Sequence, residues 1–137
     1  MTSKTIDIKH GILTRTSRLP VRDTMDVLAK GIKEKGATIY ARIDQQAEAI
    51  KAGIGLPALE FLLFGNPLKG TLMMNKNPIV ALDLPLKIIC WQGENGLTHI
   101  AFNDQAYISR RYGLKASADS PLNLAPLIDQ ILAGTTV

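Results

Sequence analysis

The sequence is poor in the residues that build most metal sites and covalent catalytic sites. It has one cysteine, Cys90, and two histidines, His10 and His99. A single cysteine excludes an internal disulfide and favours a reducing compartment, and these three residues are too few for a zinc site of four cysteines or of paired cysteines and histidines. No Ser-His-Asp arrangement, His-Glu-x-x-His pair or Walker phosphate loop is present either. We therefore expect no metal and no cofactor, and the sequence leaves open whether the protein is an enzyme.

Aromatic residues and dense basic stretches are also scarce. Aromatics make up 5% of the chain, and its net charge of +4 comes from 16 basic residues interleaved with 12 acidic ones. Nucleic-acid-binding domains usually carry a basic stripe with aromatic residues between the charges. We therefore do not expect a nucleic acid as a partner.

Long apolar runs are missing as well. The longest is far shorter than the ~20 residues that a membrane-spanning helix needs. Residues 1–9 alternate polar and apolar positions instead of forming the apolar centre of a signal peptide. We therefore expect no membrane association and a cytoplasmic location.

The chain does have enough apolar sequence for one folded core. Its 46% apolar and 20% charged residues are typical of a globular protein and not of a disordered one. A length of 137 residues is common for one domain, and no internal repeat, low-complexity tract or long linker interrupts it. We expect a single domain over residues 1–137.

Apolar patterns predict about five strands. Residues 6–15 and 38–43 alternate with a period of two, which is typical of strands with one face in solvent. Residues 58–64 are nearly all apolar, with Glu60 as the only charge, which predicts a central strand covered on both faces. Residues 86–92 and 97–102 flank a turn-forming stretch and should pair antiparallel. The predicted fold class is α/β of the α+β type, with helices packed on a mostly antiparallel sheet.

Five further segments are predicted as helices. In the clearest one, Val21, Met25, Leu28 and Ile32 form a single apolar stripe that ends at Gly36. The others follow capping residues or precede breaking residues: 45–52 after Asp44, 67–76 after Asn66, 103–112 before Gly113, and 123–133 before Gly134. Residues 77–85 fit either a helical turn or an irregular crossing.

Several short motifs occur together in one order along the chain. They are Tyr-Ala-Arg-Ile-Asp at 40–44, Lys-Ala-Gly at 51–53, Leu-Leu-Phe-Gly-Asn-Pro at 62–67, Ala-Leu-Asp-Leu-Pro-Leu-Lys at 81–87, Asn-Asp at 103–104 and Tyr-Gly-Leu at 112–114. Together they resemble the domain of unknown function 302 family over about residues 8–134. The resemblance implies a TATA-binding-protein-like layout, a homodimer and no established activity. Many members have histidine at the positions of Gln45 and Tyr112, so histidine-dependent chemistry is not expected to carry over.

Two corners of the predicted fold are candidate binding sites. Asn66 and Pro67 open a helix after a buried strand, so the free N–H groups there could hold a carboxylate or phosphate, or Asn66 could serve only as a cap. Asp83 and Lys87 flank Leu84 and Pro85, and they could bind a polar ligand, provide a general base or form a structural salt bridge.

Asp44 and Cys90 complete the candidates. Asp44 could act as an acid or base, or only cap the helix that follows it. Cys90 lies within an apolar strand, so we expect it to be a core residue and not a nucleophile.

Three functional hypotheses remain open. The leading one is a small cytoplasmic domain that forms a homodimer and binds a small polar or anionic ligand through Asn66, Asp83, Lys87 and Asp44. The first alternative is an enzyme that uses Asp44 or Asp83 as general acid or base. The second is a structural or protein-interaction module whose apolar face is closed by a twin subunit.

Overall fold

The computed structural model describes the backbone of residues 5–7 and residues 10–134 in full; residues 8–9, which belong to the first predicted strand, lie outside the described residues. The strands are β1 (Thr5–Asp7), β2 (Ile12–Ser17), β3 (Thr38–Asp44), β4 (Leu59–Gly65), β5 (Leu86–Gln92) and β6 (Thr98–Asn103). The helices are α1 (Val21–Glu34), α2 (Gln45–Lys51), α3 (Pro67–Lys76), α4 (Gln105–Tyr112) and α5 (Ala125–Ala133). A 3₁₀ helix, Pro78–Asp83, fills most of the segment that the sequence left unassigned.

The six described strands form one sheet in the order β1-β2-β6-β5-β4-β3, with every neighbouring pair antiparallel. This confirms the predicted fold class and the hairpin formed by β5 and β6. The prediction of one strand over residues 6–15 is wrong, because β1 and β2 are separate strands that pair with each other. Gly11 lies in the turn before β2 with a φ of 70°, a conformation that interrupts a strand.

Helices α1 and α5 cover one face of the sheet. The stripe predicted for α1 is confirmed, because all four of its residues are buried. Together with α5 they enclose a core of strand residues: Leu13, Leu62, Phe64, Ile88, Cys90, Ile100 and Phe102. Each fully buried aliphatic or aromatic side chain contributes about 1.5–3 kcal/mol. Gly31 allows the two helices to approach closely, since a Cβ there would lie 2.5 Å from Cγ1 of Ile131.

The other face of the sheet remains partly exposed. Ile43, Phe61, Ile89 and Ala101 lie opposite one another on β3, β4, β5 and β6, and with Ile12 and Trp91 they form what we call the open face. Ile12 and Ile43 keep 37% and 38% of their surface exposed. The prediction that residues 58–64 are covered on both faces is therefore wrong, because α1 and α5 pack on one face only.

A register shift in β3 changes which side chains face the helices. Strict alternation predicts Ile39, Ala41 and Ile43 on one face, but the register shifts between Ile39 and Ala41. Ile39 lies opposite buried Phe64, while Arg42 lies opposite buried Leu62. The irregularity therefore brings the guanidinium of Arg42 to the side of the sheet that carries α1.

Five chain segments meet at one end of the sheet, which we call the α1 end. Ser17 ends β2 just before α1, Asp44 ends β3, Glu60 lies near the start of β4, Gln92 ends β5 and Thr98 begins β6. The pairing places Asp44 opposite Glu60, and Thr98 opposite both Gln92 and Ser17. Within the described part of the chain, no helix combines the length and the apolar character that crossing a bilayer requires.

Candidate functional site

A cavity of about 530 Å³ opens at the α1 end. Four charged residues line it: Arg18 and Arg22 beside the start of α1, Asp44 at the end of β3, and Glu60 on β4. Gln46, Gln92 and Thr98 add polar groups to its wall. Its volume lies within the roughly 300–1,000 Å³ common for small-molecule pockets.

Helix α1 begins at this cavity without a side-chain cap. Pro20 occupies the N-cap position and offers no side-chain acceptor to the first N–H groups of the helix. The preceding turn is held by hydrogen bonds from Thr24 Oγ1 to Ser17 Oγ (2.9 Å) and from Thr98 Oγ1 to the Leu19 carbonyl (2.6 Å). The start of a 14-residue helix therefore presents a partial positive charge to the cavity.

Glu60 is a buried carboxylate that depends on Arg42. It is 8% exposed, and its Oε1 accepts a hydrogen bond from Arg42 Nε at 2.6 Å. Arg42 also donates through Nη1 to Asp26 on α1 at 2.6 Å and through Nη2 to the Arg22 carbonyl at 3.2 Å. Burial by itself would lower the pKa of Arg42, but its hydrogen bonds to Glu60 and Asp26 outweigh that effect and raise the pKa. Among the described residues, Glu60 Oε2 accepts no hydrogen bond, so it can receive one from a ligand.

Asp44 caps α2 at the rim of the same cavity. Its Oδ1 accepts a hydrogen bond from the Ala47 N–H at 2.9 Å, which confirms the predicted cap. Its carboxylate is exposed, so the capping bond leaves acceptor capacity toward the cavity. The cavity thus combines two arginines and a helix start with two carboxylates. Such a site can bind a small molecule that has an anionic group at one end and a hydrogen-bond donor at the other.

Asn66 lies at the opposite end of the sheet. It caps α3 as predicted, with Oδ1 accepting from the Lys69 N–H at 3.0 Å. Beside it is a smaller hollow of about 180 Å³, lined mainly by apolar groups that include Tyr40, Met74 and Pro85. Asn66 and Asp44 are therefore at opposite ends of β4, and the structure does not bring them into one site.

Asp83 is engaged by side chains of α4. Its Oδ2 accepts from the Tyr112 hydroxyl at 2.5 Å and from Arg111 Nη1 at 3.2 Å. The hydrogen bond to Asp83 raises the pKa of Tyr112 above its ordinary value. Lys87 instead lines a shallow hollow on the other side, next to Ile89 of the open face. Asp83 therefore has its ion pair with Arg111, where the sequence offered Lys87 as the neighbouring cation.

A family model described as "Domain of unknown function DUF302" matches residues 13–131. This chain belongs to the DUF302 family. The match confirms the resemblance that the motifs in the sequence carry. It covers β2 through most of α5, and so it includes every residue of the cavity at the α1 end.

Longer relatives and a solved structure are similar to this DUF302 domain. It is 36% identical over 112 residues to "Fluoride-specific ion channel FluC 1" of Brucella suis biovar 1 (strain 1330), covering 82% of this chain and 44% of the relative. The protein of the same name from Brucella abortus biovar 1 (strain 9-941) is also 36% identical, with 42% of it covered. The chain thus spans less than half the length of these relatives. An uncharacterised conserved DUF302 protein from Bacillus stearothermophilus has the same fold, with a TM-score of 0.68, 19% identity, and 90% and 88% of the two chains covered.

The cavity of the DUF302 domain is lined by residues that the sequence did not predict as site residues. Arg18 and Arg22 line one cavity with Glu60 only after folding, because Arg22 and Glu60 are 38 positions apart along the chain. One signal was available, since Glu60 is the only charge in an apolar strand and a buried charge requires a partner. Among the described residues, no group of three His, Cys, Asp or Glu side chains is placed to hold a metal ion.

Cys90 is buried in the core, as predicted, and its burial has a measurable consequence. Desolvation raises the pKa of its thiol from 9.0 to about 12. In the unfolded chain the thiol loses its proton from about pH 9, while the folded protein retains it, so the unfolded state binds fewer protons in this window. We expect the contribution of Cys90 to stability to be complete below about pH 9 and to fall as the pH rises from there to about pH 12, with the slope that one bound proton produces.

Urea unfolding at several alkaline pH values, for the wild type and for Cys90→Ala, measures this contribution. The variant loses stability at every pH because it leaves a cavity, but its slope against pH should be shallower by one proton. Tyr112 titrates in both proteins, and so its effect cancels in the difference. Equal slopes would show that Cys90 is not shielded from solvent.

Proposed function

We propose that this DUF302 domain binds a small polar ligand with an anionic group in the cavity at the α1 end. The observation that carries the proposal is the meeting, in one cavity of about 530 Å³, of Arg18, Arg22 and the uncapped start of α1 with the carboxylate of Glu60. The arginines and the helix N–H groups hold the anionic group, and Glu60 accepts a hydrogen bond from a donor on the same molecule. Asp44 supports binding from the rim.

Binding is favoured over general acid–base catalysis because both candidate acids are already engaged. The Asp44 carboxylate caps α2, and the Asp83 carboxylate accepts hydrogen bonds from Tyr112 and Arg111. Protonation of either carboxylate would weaken the hydrogen bonds that it already accepts, which opposes its use as a base. Asn66, Asp83 and Lys87 remain predicted ligand residues outside this cavity, with Asn66 beside the smaller hollow and Lys87 at the shallow hollow next to Ile89.

The name of the Brucella relatives adds fluoride to the anions worth testing. We propose that the domain binds the anion in a fluoride-related function. Fluoride is a small acceptor of hydrogen bonds, and it would require the N–H groups of Arg18, Arg22 and the α1 start. Organic anions would also use Glu60, because that carboxylate repels a bare anion and attracts a donor group.

Isothermal titration with fluoride, inorganic phosphate, acetate and glycine tests this assignment. We expect Arg22→Gln to weaken binding of the best of these probes by about 10–100-fold, since a charge-assisted hydrogen bond contributes about 1.5–3 kcal/mol. The substitution leaves the Arg22 carbonyl, and thus its bond from Arg42, in place. Glu60→Gln should weaken glycine more than fluoride.

Lys30→Gln is the matched control, because Lys30 is a cation on the same helix that does not line the cavity. It changes the net charge by the same amount and should leave affinity nearly unchanged. Binding that survives Arg22→Gln but is lost in Asn66→Ala would move the site to the smaller hollow. No binding of any of the four probes would remove the support for the anion site.

We also propose that two copies associate through the open face. The observation that favours this is the row of apolar side chains on neighbouring strands, together with the stacked rings of Trp91 and His99, whose centroids are 5.3 Å apart. Antiparallel sheets that leave an apolar face without helices commonly bury it against another layer.

Sedimentation equilibrium of the wild type and of Ile89→Lys tests the dimer. A lysine at the centre of the row should shift the mass from dimer to monomer, while Lys87→Gln, a change beside the row, should leave the dimer intact. A wild-type protein that remains monomeric at high concentration would contradict the proposal.

A further inference from the structure

Four large apolar side chains protrude from α3 and the 3₁₀ helix. Leu68 is 70% exposed, Leu72 55%, Ile79 63% and Leu82 66%, and we call this set the apolar ridge. Leu68 and Leu72 are four residues apart on an α-helix, while Ile79 and Leu82 are three apart on a 3₁₀ helix, so each pair shares one side of its helix. None of the ten residues of α3 is fully buried. The sheet therefore uses α3 very little for its own core.

The charged residues on the segment that carries the apolar ridge are all basic. Residues 61–82 contain no Asp or Glu, whereas Lys69 and Lys76 lie on α3 itself. Lys69 Nζ donates to the backbone carbonyl of Asp119 at 3.4 Å, which leaves its charge unneutralised by a carboxylate. Asp83, the first acid after the ridge, is only 11% exposed and already bonded to Tyr112 and Arg111.

We propose that the apolar ridge docks on the surface of a lipid bilayer that contains anionic lipids. Protruding leucines flanked by lysines are the pattern of interfacial segments, in which the apolar side chains enter the headgroup boundary and the lysines contact lipid phosphates. Each lysine close to an anionic leaflet strengthens the attachment. Such a surface lies on the membrane without a spanning helix. The lack of a long apolar run, from which the sequence predicted no membrane association, therefore does not exclude it.

A bilayer fits these features better than a second copy of the chain does. Two ridges brought face to face would place Lys69 and Lys76 of both copies together, and like charges in contact oppose association. A fluid anionic surface accepts a ridge of this shape and neutralises its cations.

Vesicle flotation with the full chain tests the proposal. We expect the protein to float with vesicles of phosphatidylcholine and phosphatidylglycerol and to bind pure phosphatidylcholine vesicles much more weakly. The double variant Leu68→Asn/Leu72→Asn should lower partitioning at least about tenfold, because a leucine buried in the interface contributes on the order of 1.5 kcal/mol or more. Lys69→Gln/Lys76→Gln should weaken binding to the anionic vesicles only.

Ile50→Asn/Ile54→Asn is the matched control, because these residues are equally exposed, 66% and 64%, on the segment that includes the end of α2. It should change partitioning less than about twofold, as expected for surface substitutions elsewhere. Circular dichroism and thermal melting of each variant show whether its fold is retained. The proposal is overturned if the wild type floats with neither vesicle, if the control variant loses as much binding, or if the leucine variant changes only the self-association of the protein.

Discussion

Arg42→Met should lower the free energy of unfolding by about 1–3 kcal/mol, the range for leaving a buried hydrogen-bond acceptor without its donor. The guanidinium is the hydrogen-bond donor to the Glu60 carboxylate, which is 8% exposed, and it also ties β3 to α1 through Asp26. Methionine retains most of the side-chain volume but leaves the Glu60 charge without a partner. Urea unfolding monitored by Trp91 fluorescence measures the loss.

Asp26→Asn provides the control for this prediction. Asp26 bonds the same guanidinium at the same 2.6 Å, but its side chain is 57% exposed, so the pair on that side is screened by water. We expect Asp26→Asn to lower stability by less than about 1 kcal/mol. In the double variant Arg42→Met/Glu60→Gln the buried charge is gone, so part of the loss should be recovered. If Arg42→Met and Asp26→Asn lower the free energy of unfolding equally, the burial of Glu60 does not govern the stability of this site.

Helix patterns could be predicted well from the sequence because their causes are local. The stripe of α1, the Asp44 cap of α2 and the Asn66–Pro67 start of α3 each depend on residues within a few positions of one another. The errors in the sheet have a different origin. An apolar run such as 58–64 indicates that a strand is apolar on both faces. It does not indicate whether a helix or a second molecule covers the second face.

The candidate site shows the same division between local and distant causes. Asp44 and Asn66 were recognised as caps from their neighbours, but the grouping of Asp44 with Arg18, Arg22 and Glu60 depends on strand order. Asp83 shows the same limit, because its partner is not its nearest cation along the chain. Its nearest cation along the chain is Lys87, yet the packing of α4 against the 3₁₀ helix supplies Arg111, 28 residues away. Local sequence context therefore predicts the roles of single residues, but it does not predict which residues become their partners after folding.

The register shift in β3 explains why Arg42 lies on a different face from the one that strict alternation predicts. Strict alternation would put it on the side away from Ile39, whereas the irregularity between Ile39 and Ala41 brings both side chains to the α1 side. One extra residue in a strand reverses the faces of all residues after it. The bond between Arg42 and Glu60 depends on this reversal, because without it the Arg42 side chain would lie on the opposite face of the sheet from Glu60.

Gly11→Ala should destabilise the protein by about 2–4 kcal/mol, from backbone strain and overpacking together. Gly11 has a φ of 70°, and a Cβ at this position would overlap Cγ of Tyr107. Because Tyr107 is on α4 and the Asp104 N–H bonds the Gly11 carbonyl at 2.8 Å, the close contact fixes α4 against the turn before β2. This position of α4 in turn brings Arg111 and Tyr112 to Asp83.

Gly36→Ala separates the two contributions. Gly36 has a φ of 90° but has nothing within 4 Å of its ideal Cβ, so its replacement introduces only backbone strain, about 1–2 kcal/mol. Urea unfolding of both variants should show a larger loss for Gly11→Ala. Adding Tyr107→Gly, which removes both the Cβ and the Cγ that the new Cβ would overlap, should cancel that excess in a double-mutant cycle. Equal losses for the two glycine variants would mean that Tyr107 does not pack on Gly11. A different contact would then have to position α4 and the side chains of α4 that donate hydrogen bonds to Asp83.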